Sequence, residues 1–231
     1  MTSSERQIRF AGADVPTHSD DGRLNAPAFH RNCEPIWSVL APHLAERHGD
    51  VLELGSGTGQ HILEFARRAP HLTWWPSDFD PTHLMSIEAW RCDAGLSNLR
   101  PATRIDLSDP NWQFDQLKPA GPASPPSFAA MLCANVIHIA PWRVAEGLFA
   151  GAGRQLAAGA PLFLYGPFKR DGEHTSPSNA AFDRTLKAQN ADWGVRDMKD
   201  VAMLAERNGL KLAETIAMPA NNFILIFIRR T

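Results

Sequence analysis

Residues 51–61 read VLELGSGTGQH. An apolar run carrying one acid, Glu53, breaks into three glycines two residues apart, Gly55, Gly57 and Gly59, with Ser56 and Thr58 between them. Residues without a Cβ let the chain turn sharply and let a ligand lie against the backbone. A helix beginning just beyond the turn offers free N–H groups. Three ligand classes exploit such a loop: phosphates, dinucleotides and adenosyl groups. No Gly-Lys-Ser/Thr follows, so the stretch is not a P-loop. A dinucleotide fingerprint needs G-x-G-x-x-G, and Gln60 stands where its third glycine belongs. Ser56 does not sit in the G-x-S-x-G pattern of a nucleophile elbow.

Working outward, Asp50–Leu54 reads as a first strand and Gln60–Arg68 as the helix after it. A second strand over 71–77 ends near Asp78, its reach limited by Pro76. A helix over 81–94 and a strand ending near Asp106 follow. The Pro-rich stretch within 107–127 reads as a surface loop, 128–135 as a fourth strand, 142–157 as a helix and 160–165 as a fifth strand. Residues 166–196 break the alternation and read as an active-site insertion with a helix near 179–188. A helix over 197–208, a strand near 210–216 and the apolar run NNFILIFIRR complete the chain. Upstream, residues 32–47 read as a helix with Pro35 in its first turn and a kink or break at Pro42. Residues 1–27 read as a flexible N-terminal arm, with 1–26 a loose arm or a partly ordered lid, before a single domain over 28–231. Strands alternating with helices predict an α/β fold, a mostly parallel sheet covered on both faces.

The chain's 231 residues and 44% apolar content suit one domain with a sizeable core. A net charge of −2 gives no basic excess, which makes nucleic acid an unlikely main partner. Cys33, Cys92 and Cys133 form no Cys-x-x-Cys pair, and the 9 histidines include no His-Glu-x-x-His, so no metal is expected. No apolar run is long enough for a membrane span, and the first residues lack a secretory pattern; a cytoplasmic location is the default expectation.

The arrangement E-x-G-x-G-x-G resembles the first motif of class I S-adenosylmethionine-dependent methyltransferases. The resemblance implies that Glu53, Gly55, Ser56, Gly57 and Gly59 run beside the methionine portion and ribose of the cofactor. It places Asp78, with Asp80 as fallback, at the ribose hydroxyls. It places Asp106, with Leu107, beside the adenine, and Asn135 close to the methyl-transfer site. All of these sit at strand C-terminal ends, where open α/β sheets bind ligands. Each acid also has a plainer reading as the cap of the next helix or turn.

A closer resemblance is to the methyltransferase-like 26 family, long catalogued as a domain of unknown function. It rests on RNCEPI (31–36), VLELGSGTGQH (51–61), WWPSDFD (74–80), NVIHIAPW (135–142), GLFAGAGRQL (147–156), LYGPF (164–168), SNAAFD (178–183), WGVRD (193–197) and MPANN (218–222). It implies a three-layer Rossmann-like class I methyltransferase fold, with a seven-stranded sheet of order 3-2-1-4-5-7-6 and strand 7 antiparallel.

Around the acceptor, His138 is the attractive general base, or else a histidine that holds its loop. Trp142, Tyr165, Phe168 and Trp193 either wall an apolar pocket or belong to the core, with Tyr165 also a candidate catalytic group beside His138 and Asn135. Arg31 is placed to pair with the cofactor carboxylate. Asn179 and Arg196 match further family stretches, and Arg196 either binds a substrate anion or holds local structure. Asn221 and Asn222 hydrogen-bond across the site floor or form the turn before the last strand. These readings favour a methyltransferase acting on an O, N or S atom of a small molecule, as monomer or homodimer. The alternative is a non-enzymatic S-adenosylmethionine- or S-adenosylhomocysteine-binding protein. A nicotinamide oxidoreductase fits the glycine spacing poorly.

Overall fold

The computed structural model describes residues 16–112 and 127–231. The expectations for the first part of the arm and for most of the Pro-rich loop fall on residues 1–15 and 113–126, outside the described residues.

Seven strands make one sheet: β1 (Gly49–Leu54), β2 (Leu72–Asp78), β3 (Thr103–Arg104), β4 (Ala130–Ala134), β5 (Pro161–Gly166), β6 (Leu210–Met218) and β7 (Asn222–Arg229). Their order across the sheet is β3-β2-β1-β4-β5-β7-β6, as expected. β7 runs antiparallel to both β5 and β6, and the remaining pairs are parallel. Six α-helices lie among the described residues: α1 (Pro27–Leu44), α2 (Gln60–Arg68), α3 (Pro81–Ala94), α4 (Trp142–Gln155), α5 (Pro177–Gln189) and α6 (Met198–Arg207). Strands buried on both faces need near-continuous apolar sequence, and side-chain alternation splits each between two cores. Leu52, Leu54, Met131, Cys133, Leu162 and Leu164 pack against α4 and α6 through Leu148, Phe149 and Val201. Val51, Leu132, Phe163 and Tyr165 pack against α1 and α2 through Ile36, Leu40, Ile62 and Phe65. Glu53 shares the parity of Val51, so it faces α1 and α2.

Two local expectations, both about α1, are corrected. α1 starts at Pro27, not near residue 32, because Ala26 is extended and Pro27 supplies the preset first-turn φ. Pro35 therefore lies mid-helix, and the helix also runs unbroken through Pro42, which is exposed, so the carbonyl left without an N–H partner faces solvent. β2 ends at Asp78, as expected, with Pro76 two residues before its end. Trp74, of the same parity, bonds Asn98 O and Arg100 N on the β3 side, so the missing Pro76 N–H points where that edge is interrupted between Leu99 and Thr103.

Residues 16–26 are an ordered segment over the cleft, closer to the lid reading than to the loose arm. Thr17–His18 and Leu24–Asn25 pair into a small ribbon. Leu24 N donates to Ser86 Oγ, Trp90 Nε1 donates to Leu24 O, and Ala26 N donates to Gln60 Oε1. The 166–196 segment forms α5 and a three-stranded sheet of Phe168–Arg170, Glu173–His174 and Arg196–Asp197. No helix among the described residues is long and apolar enough to cross a membrane.

Candidate functional site

A cleft of about 530 Å³ opens at the C-terminal ends of β1, β2, β4 and β5. Its floor is Glu53 and the glycine loop; the ribbon and the Phe29–Asn32–Ile36 face of α1 close it from above. Gly55, Gly57 and Gly59 all have positive φ, a turn that L side chains resist. Gly59 caps α2 and lies against Ile87 of α3, beneath the cleft surface.

The loop is tied to β2 through Asp78. Its Oδ2 accepts from Gly57 N at 2.8 Å; its Oδ1 accepts from Asp80 N at 2.9 Å and contacts His83 Nδ1 at 3.2 Å. Burial disfavours the charged form of His83, but its hydrogen bond to Asp78 and the charges of Asp78 and Asp80 outweigh this, and its pKa is raised. A carboxylate offers about four acceptor positions, so Asp78 keeps roughly one for a ligand. Asp80 caps α3 by accepting from Thr82 N and also lines the cleft. Asp106 accepts from Ser108 N and Oγ, closing its own turn, while lining the cleft with Ile105 and Leu107.

Glu53 differs from these acids. It is 2% exposed, lines the cleft, and its Oε2 has no hydrogen-bond partner among the described residues. Burial, opposed in part by a hydrogen bond from Ser56, pushes its pKa up from 4.5 to about 8. His61 stands nearby on α2, edge-on to Phe29 at 5.1 Å, and burial depresses its pKa to about 4.

At the other end, Asn135 leaves β4 at φ 61° and donates its N–H to Tyr165 O. Tyr165 accepts at its hydroxyl from Asn222 Nδ2 at 2.9 Å. Burial raises its pKa to about 12 against the pull of that bond and of the Arg31 charge, so it stays protonated. Arg31 itself is exposed on α1 and outside the cleft lining. Trp193 lines the cleft, 3% exposed, with a buried indole N–H that has no partner among the described residues.

The structure leaves five sequence candidates behind the wall. His138 is 1% exposed and outside the lining. Its ring meets Phe168 edge-on at 4.9 Å, and burial, with the Arg196 charge, drives its pKa to about 3. Phe168 is core. Arg196 donates to Ile137 O, Ala140 O and Asp192 O at 3.1, 2.6 and 2.7 Å, stapling the β4–α4 loop to the segment bearing Trp193. Trp142 lies under that guanidinium at 5.6 Å. Asn179 donates to Thr175 Oγ1 and Asn221 O, holding the β6–β7 turn that carries Asn222. Phe29, His61, Phe79 and His83 are lining groups that sequence reasoning missed. His61 directly follows Gln60 at the α2 start and His83 stands five residues after Asp78, positions a helix N-terminus beside a ligand would have pointed to.

Residues 23–229 match a family model described as "Protein of unknown function (DUF938)", and the chain belongs to that family. Among solved structures, an O-methyltransferase family protein from Burkholderia thailandensis is similar, with TM-score 0.71 and 17% identity over 88% of this chain and 58% of that one. CalO1, a methyltransferase in calicheamicin biosynthesis solved with S-adenosylhomocysteine bound, has TM-score 0.62 and 12% identity over 85% of this chain and 54% of that one. An O-methyltransferase family 2 protein from Planctomyces limnophilus in complex with apigenin has TM-score 0.61 and 17% identity over 78% and 50%. The chain thus spans about half the length of these proteins, and what they share with it is the fold.

Proposed function

We propose that this chain is an S-adenosylmethionine-dependent methyltransferase that delivers a methyl group to an O, N or S atom of a small-molecule acceptor. The observation that carries the reading is the orphaned carboxyl of Glu53 in the cleft floor. A buried acid without a partner costs stability unless a ligand supplies a cation. The cofactor's α-ammonium is such a cation. The glycine loop's backbone takes the chain beside it, Asp78 one ribose hydroxyl, and Asp106, Leu107 and Phe79 the adenine. Asn135, Tyr165 and Trp193 stand at the acceptor end. When bound, the cofactor supplies an electrophilic methyl on a positively charged sulfur; the protein's part is to orient the acceptor and exclude water. His138, behind the wall with a depressed pKa, is left as a group that holds its loop. The S-adenosylhomocysteine in CalO1 supports the cofactor class, and the methyltransferase-like 26 resemblance agrees with it. A cytoplasmic, metal-independent enzyme, monomeric or dimeric, completes the proposal.

Calorimetric titration with S-adenosylhomocysteine, run beside NAD, tests it. We expect saturable binding of the first alone, weakened at least about tenfold in Glu53→Gln, since charge-assisted hydrogen bonds contribute about 1.5–3 kcal/mol. Binding of NAD alone, or of neither, would sink the reading.

A further inference from the structure

Two buried donors, one on the sheet and one on the segment after α5, line the same cleft. Tyr165 rises from the α1 face, 2% exposed. Its oxygen already accepts from Asn222, so its own hydrogen is left for a further acceptor, and no described residue supplies one. Trp193 comes from the α5 side, and its indole N–H also lacks an acceptor among the described residues. Buried donors are rarely left so, and each costs about 1–3 kcal/mol when it is. The Arg31 charge bears on the Tyr165 hydroxyl. Asn32, on the same α1 turn, lines the cleft with no partner for its amide among the described residues. Ile139, Ala140 and Pro141 line the same cleft, as do the rings of Phe29 and Trp193, an apolar and aromatic lining that suits an aromatic acceptor. Apart from Glu53, which the cofactor reading assigns to an ammonium, Asn135, Ile139, Tyr165 and Trp193 bring no carboxylate of their own to this end.

Resting on the methyltransferase reading, we propose that the methyl acceptor is a small planar organic acid, whose carboxylate is received by the Tyr165 O–H and the Trp193 N–H. A carboxylate has two oxygens. One takes the two donors, and the other is free to attack. Transfer then needs no base: an O–C bond forms, the C–S bond breaks with its electron pair left on sulfur, and the two opposite charges cancel. This accounts for a site whose one attractive base by sequence, His138, is sealed in the protein. Asn222 is a positioning residue here, because it fixes which way the Tyr165 hydrogen points. α5 reaches the site through it, since Asn179 holds the turn on which Asn222 sits.

The test uses the intact protein saturated with S-adenosylhomocysteine and reads ¹⁹F NMR line broadening of 4-fluorobenzoate and of its neutral isostere 4-fluorobenzamide. The benzoate should bind at least about tenfold more tightly than the amide, as a charge-assisted hydrogen bond warrants. Tyr165→Phe and Trp193→Phe should each erase most of that preference, with S-adenosylhomocysteine affinity measured alongside to report an intact fold. Asn222→Ala should reduce the preference in part, and Asn222→Gln should restore some of it. Equal binding, preference for the amide, no benzoate binding to the loaded protein, or a preference untouched in both Tyr165→Phe and Trp193→Phe overturns the proposal. Failure of S-adenosylhomocysteine to bind at all is a different result, and it removes the methyltransferase reading instead.

Discussion

The two ends of the cleft are built in opposite ways. At the glycine-loop end the parts are contiguous. Gly55 to Gln60 make the loop, and Asp78 to His83 make the strand end and helix start that hold it. Two buried side chains fasten the ribbon to the same loop: Gln60 accepts from Thr58 Oγ1 and Ala26 N, while Ser86 donates to Thr58 O and accepts from Leu24 N. At the acceptor end the parts are scattered over Asn135, Tyr165, Trp193, Arg196 and Asn222, and they meet mainly through long-range bonds. The loop and its caps are built from two short contiguous runs with the ribbon tied across them; the second end depends on distant segments being stapled together. Substitutions should therefore act differently at the two ends.

The largest effect is expected within the loop. A Cβ on Gly59 would stand 2.9 Å from the Ile87 Cα, at φ +88°, so neither chain can yield cheaply. Gly59→Ala should lose about 2–4 kcal/mol in urea unfolding, combining left-handed strain with overpacking. Gly57 has φ +56° but open space around its Cβ position. Gly57→Ala should lose only about 1 kcal/mol. Equal losses would show that the loop's conformation, rather than its packing on α3, sets its requirement for glycine.

Next in size is the staple. Arg196→Met removes three bonds to backbone carbonyls. A loss of about 2–3 kcal/mol is expected, with S-adenosylhomocysteine affinity nearly unchanged. If affinity falls as steeply as stability, the two ends are one cooperative unit and the contrast between them fails.

The same contrast explains what could be read in advance. The alternation of strands and helices and the glycine loop were legible because strand periodicity and glycine spacing are local signals; the sheet order came only with the family resemblance. Glu53, Asp78 and Asp106 stood out as acids at or near strand C-terminal ends, while the roles expected of them rested on the resemblance. Arg196 had two readings, a group for a substrate anion or a holder of local structure, and the sequence could not choose between them, since backbone carbonyls that accept a guanidinium leave no mark on it. His138 read equally as a base or as the holder of its loop, because a histidine after the fourth strand shows its chemistry and hides its burial. α1 was misplaced because two interior prolines resembled a start and a break, while the start at Pro27 looked like part of an arm.

Glu53→Gln should separate stability from binding. The folded-state pKa of Glu53 is raised to about 8 from 4.5. The folded protein therefore holds a proton that the unfolded chain releases between those values. Its contribution is fully present below about pH 4.5 and is lost as pH rises through about 8. Glu53→Gln cannot ionise, so its melting temperature should exceed that of the parent at pH 9 and approach it near pH 5. S-adenosylhomocysteine affinity should fall throughout. A parent melting curve with the same pH dependence as the variant would show that the acid is already paired.

The smallest effect at neutral pH belongs to His138, and its sign is opposite. Its folded-state pKa lies near 3 against an ordinary 6.5. Below pH 6.5 the unfolded chain takes up a proton that the buried ring refuses. The stability it contributes is present above 6.5 and drains away as pH falls toward 3. His138→Gln keeps a polar side chain of similar reach and does not titrate. Near pH 7 it should melt within a few degrees of the parent, displaced by the lost contact with Phe168. By pH 4.5 it should be the more stable of the two. Should the parent and the variant lose stability in parallel on acidification, the ring must be reached by solvent, and its place behind the wall would have to be given up. His138 would then return as a candidate base, and the argument that the acceptor arrives already ionised would lose its main support.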